Sequence, residues 1–185
     1  MAKELENALT EHLDLAARMD EVLPRAAEAA RALVAAYERG ARVYTFGNGG
    51  SSADAAHFAE ELIGRYKRER RPLAAQSLSI DASALTCIAN DYSFDEVFER
   101  QVRGFVRDGD VVVGFSTSGR SPNVVRGLAA ARELGATTIL FTGENGGEAD
   151  IVLSVPSAST ARIQEFHVFL LHVILEEVDR WAAGS

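Results

Sequence analysis

Val43-Tyr44-Thr45-Phe46-Gly47-Asn48-Gly49-Gly50-Ser51-Ser52-Ala53-Asp54-Ala55-Ala56-His57-Phe58-Ala59-Glu60-Glu61-Leu62 is the stretch that decides the fold. It opens as an apolar strand, turns through glycines and serines, and continues as a helix. Strand, glycine-rich loop and helix N-terminus in succession make an anion site. Unpaired backbone N–H groups and the helix dipole there both favour a phosphate. Just beyond the loop, His57 and Glu61 are four residues apart and share one helix face. Such a pair can move protons or hold a metal. A phosphate anchor beside it points to an enzyme acting on a phosphorylated metabolite.

Working outward, the same alternation continues. Leu5, Leu9, Leu13, Ala16 and Met19 recur at helical spacing and predict an amphipathic helix over residues 3–20. A second, alanine-rich helix is expected over 21–39, ended by Gly40. Strand 42–46 then feeds the glycine loop and a helix over 52–64. A strand over 73–80 and a helix over 95–106 follow, with no element assigned to 81–94. Strand 110–115 feeds a serine-rich loop and helix 122–134. Strands 137–141 and 151–155 precede a long final helix over 160–181. This predicts an α/β fold with a central parallel sheet flanked by helices. In such sheets ligands bind beyond the carboxyl ends of the strands. Loops 47–52, 116–121 and 142–147, all rich in Gly, Ser, Thr or Asn, fall at that edge.

The 185 residues suffice for one domain with a good core. A net charge of −8 argues against a general binder of nucleic acid or anionic membranes. An acidic chain that binds phosphate must do so in a local pocket. No apolar run approaches the ~18–20 residues of a membrane span. Residues 1–21 carry scattered charges and no signal-peptide core. The single cysteine, Cys87, excludes an intrachain disulfide. A cytoplasmic location is expected.

Ser116-Thr117-Ser118-Gly119-Arg120-Ser121 places four hydroxyls in six residues between a buried strand and a helix. Hydroxyls and backbone N–H groups can hold a phosphate without lysine. Each loop alone could be a plain helix cap; two at one sheet edge favour ligand binding. Neither is a dinucleotide or Walker fingerprint. The basic run from Arg65 to Arg71 reads as a solvated helix end. Arg65 either faces the ligand or pairs with Glu61 one turn earlier.

The last helix offers Gln164, His167 and His172. Gln164 and His172 lie about 80° apart around the axis and can share a broad face. His167 lies about 140° from His172, so the two should not enter one site. His57, Glu61, Gln164 and His172 together could form a metal site, an acid–base site, or both. Two histidines and a glutamate suit zinc, whereas glutamine is a rare zinc ligand.

At these residues the chain resembles the sugar isomerase (SIS) family and, within it, the phosphoheptose isomerases. The resemblance rests on Gly47-Asn48-Gly49-Gly50-Ser51, His57-Phe58-Ala59-Glu60-Glu61-Leu62, Gly64-Arg65-Tyr66, Asn90-Asp91, Ser116-Thr117-Ser118-Gly119, and Arg162-Ile163-Gln164-Glu165 with His172. It covers nearly the whole chain and implies a single SIS domain over 1–185, a three-layer sandwich. Residues 1–40 would be a helical oligomerisation segment and 41–185 the sugar-phosphate-binding core. It also implies conversion of sedoheptulose 7-phosphate to D-glycero-D-manno-heptose 7-phosphate through an enediol, in heptose biosynthesis.

By the same resemblance, Glu61 and His172 would be the acid–base pair. Asn48, Gly49, Gly50, Ser51, Glu61, Arg65, Asn90, Asp91, Ser116, Thr117, Ser118, Ser121 and Gln164 would bind substrate. His57, Glu61, Gln164 and His172 would hold one zinc per subunit. A homotetramer with active sites shared between subunits is implied. Ala161 stands where some members carry an aspartate. Two alternatives remain: an SIS-fold isomerase of another sugar phosphate, or a non-catalytic tetramer like the DnaA initiator-associating protein. The second lacks catalytic side chains, and Glu61 and His172 are both present here.

Overall fold

The computed structural model describes residues 2–184. Five parallel strands form one sheet: β1 (Val43–Gly47), β2 (Ala75–Ser77), β3 (Val111–Ser116), β4 (Thr137–Thr142) and β5 (Ile151–Ser154), in the order β2-β1-β3-β4-β5. Seven α-helices surround it: α1 (Ala2–Ala16), α2 (Leu23–Glu38), α3 (Gly50–Ile63), α4 (Ala82–Asp91), α5 (Val97–Phe105), α6 (Pro122–Glu133) and α7 (Thr160–Ala183).

The strands alternate their side chains between two cores, as the pleat requires. Val43, Val111, Val113, Phe115, Ile139 and Phe141 pack with residues of α2, α3 and α7. Tyr44, Phe46, Val112 and Leu140 face the other way, onto α4, α5 and α6. The result is the expected helix–sheet–helix sandwich. Helix α6 lies close to the sheet because Gly127 has no Cβ; one would stand 2.8 Å from Cζ of Phe46.

The strand order sets the binding edge. The crossover through α3 carries the chain from β1 outward to β2, and the crossover through α6 carries it from β3 outward to β4. The two diverge, so a crevice opens at the carboxyl ends of β1 and β3. Both polar loops of the sequence meet there.

Three expectations need correction. Helix α4 fills 82–91, where none was assigned. Asp81 caps it, accepting a 3.0 Å hydrogen bond from the Ala84 N–H. Only Ile88 of this helix is buried, so its apolar periodicity is faint. Strand β2 spans three residues rather than the expected eight: Ala75, Gln76 and Ser77 hold the parallel register with β1, and the backbones of Ala74 and Leu78 add one hydrogen bond at each end. Helix α3 starts at Gly50, two residues early. Gly49, at φ +54°, turns the chain and provides the carbonyl that accepts from Ser52 N–H and Oγ.

Candidate active site

Three reactive side chains converge where α3 and α7 meet. His57 and Glu61 stand on one face of α3, and His172 comes across from α7. Ligand atoms of the three lie within 4.8 Å of one another. The His57 Nε2 to Glu61 Oε1 distance is 3.4 Å, and the His57 and His172 rings meet edge to face at 5.1 Å. All three are half-buried, so each keeps a face open to a ligand. Burial first, and then the neighbouring His57, hold the His172 imidazole below its usual range. It is therefore neutral near pH 7, the form that ligates a metal or accepts a proton.

Gln164 lies on the same helix, with its amide against the start of α3. A Cβ on Gly50 would fall 2.3 Å from its Nε2. Gln164 is thus at the glycine loop, about 12 Å of helix rise from His172, while His57, Glu61 and His172 cluster. His167 behaves as its angle requires. It is fully buried, 3.2 Å from the Thr142 carbonyl through Nε2, and set among Phe115 and Phe141. Burial pushes its pKa down to about 4.

The serine loop follows β3. Ser116 Oγ lies 3.1 Å from Ser121 Oγ and 3.5 Å from Ser118 Oγ, so three hydroxyls face one another at the start of α6. Thr117 braces the neighbouring loop, its carbonyl accepting from Gly143 N–H at 3.1 Å. Ser51 is buried in the first turn of α3. Asn48 ties the two loops together: its amide and that of Asn123 exchange hydrogen bonds of 2.8 and 2.9 Å. Asn123 was not foreseen. Its signal was an amide just inside a helix that opens Ser121-Pro122.

Other positions stand apart from the cluster. Arg65 is exposed and donates to the Lys67 carbonyl at 3.3 Å; no ion pair with Glu61 occurs among the described residues. Asn90 and Asp91 end α4, exposed and bonded to each other at 2.8 Å. Asp54, one turn before His57, also went unforeseen. It is buried, its Oδ2 has no hydrogen-bond partner, and burial pushes its pKa up to about 6 against the opposing pull of His57.

No helix among the described residues is long and apolar enough to cross a membrane. The SIS domain family model matches residues 11–143. A phosphoheptose isomerase of Aquifex aeolicus (strain VF5) is 53% identical over 151 residues, covering 80% of this chain and 79% of that one. One from Geobacter sp. (strain M21) is 46% identical, covering 97% and 96%. The solved structure of the Neisseria gonorrhoeae phosphoheptose isomerase superposes with a TM-score of 0.89 at 38% identity, covering 97% of this chain and 98% of that one. With its parallel sheet, paired polar loops and His–Glu–His cluster, this chain is an isomerase enzyme that belongs to the SIS domain family and, within it, to the phosphoheptose isomerases.

Proposed function

We propose that this chain converts sedoheptulose 7-phosphate to D-glycero-D-manno-heptose 7-phosphate, in heptose biosynthesis. The observation that carries the reading is the apposition of Glu61 and His172 from two helices, in a fold that also presents a hydroxyl-lined loop at its sheet edge. A ketose and its aldose differ by one proton moved between C1 and C2 and one moved between their oxygens. Glu61 takes the carbon-bound proton from one carbon and returns it to the other. His172, neutral at rest, carries the hydroxyl proton between the two oxygens of the enediol. Ser116, Thr117, Ser118 and Ser121 grip the phosphate, so binding at the remote end places the reacting end. Asn48, Gly49, Gly50, Ser51, Arg65 and Gln164 complete the substrate contacts.

The donor set fits zinc. His57, Glu61 and His172 would hold it, one ion per subunit; Gln164 would be a fourth ligand only after its amide leaves the start of α3, where it sits against Gly50. When bound, zinc supplies Lewis-acid polarisation of a carbonyl oxygen. The reading includes a cytoplasmic homotetramer in which residues 1–40 form the oligomerisation segment and 41–185 the sugar-phosphate core. Support for that assembly comes from Leu5, Leu9 and Leu13, an exposed leucine stripe along α1. Asn90 and Asp91, bonded to each other at the exposed end of α4, would serve a neighbouring site.

The test is incubation with sedoheptulose 7-phosphate, with and without zinc, following the aldose by NMR. Glu61→Gln should abolish turnover and keep substrate binding detectable. Retained activity would reject Glu61 as the base. No product from the native protein under either condition would move the assignment to another sugar phosphate or to a non-catalytic role.

A further inference from the structure

The basic run that reads as a solvated helix end is folded back along α7. Lys67 Nζ lies 2.6 Å from Glu176 Oε2, and Arg68 reaches Glu176 and Asp179, each at 3.3 Å. The Arg68 backbone N–H also donates to Asp179 at 2.9 Å. Arg70 is the most enclosed of the run. Its side chain and that of Asp179 are each 1% exposed, with Nε donating to Oδ1 at 3.1 Å. The remaining guanidinium donors meet the last carbonyls of α3: Glu61 at 2.6 Å and Leu62 at 2.9 Å. One cation thus caps the helix that carries Glu61 and pairs with the helix that carries His172.

Tyr66 completes the arrangement. Its ring stacks on His172 with centroids 5.5 Å apart and planes at 23°. His57 meets the same imidazole at 5.1 Å and 78°. His172 is therefore held between two rings. His172, Glu176 and Asp179 follow one another at helical spacing along one face of α7, so the whole segment lies over the face that presents the reactive histidine.

We propose that Tyr66 and Arg70 are positioning residues. Arg70 fixes the end of α3 to α7, and Tyr66 confines the His172 ring in the orientation that faces Glu61 and His57. The role rests on the isomerase reading of the site. It predicts a chemical effect from a residue that touches no substrate atom, because a misplaced reactive group costs rate before it costs binding.

The experiment compares Tyr66→Ala, Tyr66→Phe and Arg70→Gln for kcat, KM, zinc affinity by chelator competition, and thermal melting. Tyr66→Ala should lower kcat and zinc affinity by about ten-fold each, the lower end of effects seen for groups that orient metal ligands. Its KM and melting temperature should stay near the native values, since Tyr66 lies at the surface of the core. Tyr66→Phe should restore both quantities, because stacking needs the ring and not the hydroxyl. Arg70→Gln should show the same kcat loss together with a lower melting temperature. Native kcat and zinc affinity in Tyr66→Ala, or a Phe variant no better than Ala, would overturn the proposal. Should the native protein not turn over the sugar, the isomerase reading fails. Zinc affinity then decides alone: weakened in Ala and restored in Phe supports positioning, and equal values in all three refute it.

Discussion

His167 should make this protein lose stability in mild acid, by an amount the structure allows to be worked out. Its Nε2–H points to the Thr142 carbonyl at 3.2 Å, and its Nδ1 is buried with no partner. A proton arriving at Nδ1 would create a charge with nothing to receive it, which is why burial pushes the pKa from 6.5 down to about 4. The unfolded imidazole takes up a proton near pH 6.5, and the folded one resists until about pH 4. Between those values the unfolded state binds more protons, so stability falls as pH falls. The contribution is fully present above pH 6.5 and is lost progressively towards pH 4. Linkage with these two pKa values gives a loss of about 2 kcal/mol between pH 7 and pH 5.

The assay is urea unfolding at several pH values and one protein concentration, for the native chain and for His167→Gln. Glutamine keeps a donor for Thr142 and does not titrate, so its packing cost is independent of pH. A direct reading of the native slope would mislead. Asp54, pushed up to about 6, gains a stabilising proton over the same window and opposes the trend. The difference between the two proteins cancels Asp54 and leaves His167. Acidification should cost the native chain about 2 kcal/mol more than the variant. Parallel stability curves would refute the reasoning, because they would mean that the buried imidazole finds a proton-accepting partner or water when charged.

Three further outcomes follow from the site. Ser118→Ala should raise KM for the phosphorylated sugar about ten-fold or more, the worth of a hydrogen bond to a charged group, with kcat little changed; an equal effect on the unphosphorylated sugar would exclude a phosphate contact. Gly119→Ala should cost more than about 2 kcal/mol in thermal or urea unfolding, because Gly119 sits at φ +66° and a Cβ would stand 1.7 Å from the Gly146 carbonyl oxygen. Gly50→Ala should leave stability within about 1 kcal/mol, since the obstacle is the movable end of Gln164. It should nevertheless reduce turnover or zinc affinity by displacing that amide, and native values of both would remove Gln164 from the site.

The parts of the fold that were legible are those whose signal is local. Strands β1 and β3 are continuous apolar runs between polar loops, and both cores grow from their alternation. The separation of His167 from His172 followed from helix geometry alone, and His57 with Glu61 from their spacing. Helix α4 leaves little trace in the sequence because most of it faces outward and its clearest local signal is the capping Asp81. The run Arg65–Arg71 reads as solvated in the sequence because its partners, Glu176 and Asp179, stand more than a hundred residues away. No window around Arg70 contains Asp179, the carboxylate that encloses its side chain.

The site divides along the same line. The serine loop is a matter of backbone and hydroxyls within six residues, placed by the strand order at the β1–β3 crevice. The reactive cluster depends on how two helices, α3 and α7, are set against each other. Its distances are therefore a property of packing: Phe58, Leu62, Leu170 and Leu171 in the shared core, and Arg70 spanning the ends. Substitutions in the loop should act on binding of the phosphate and leave the reacting groups where they are. Those between α3 and α7 should act on rate, because they change the separation of Glu61 from His172 while the loop still holds the ligand. A variant of Arg70 or Asp179 that altered KM alone would contradict this division and place the segment in the binding surface instead.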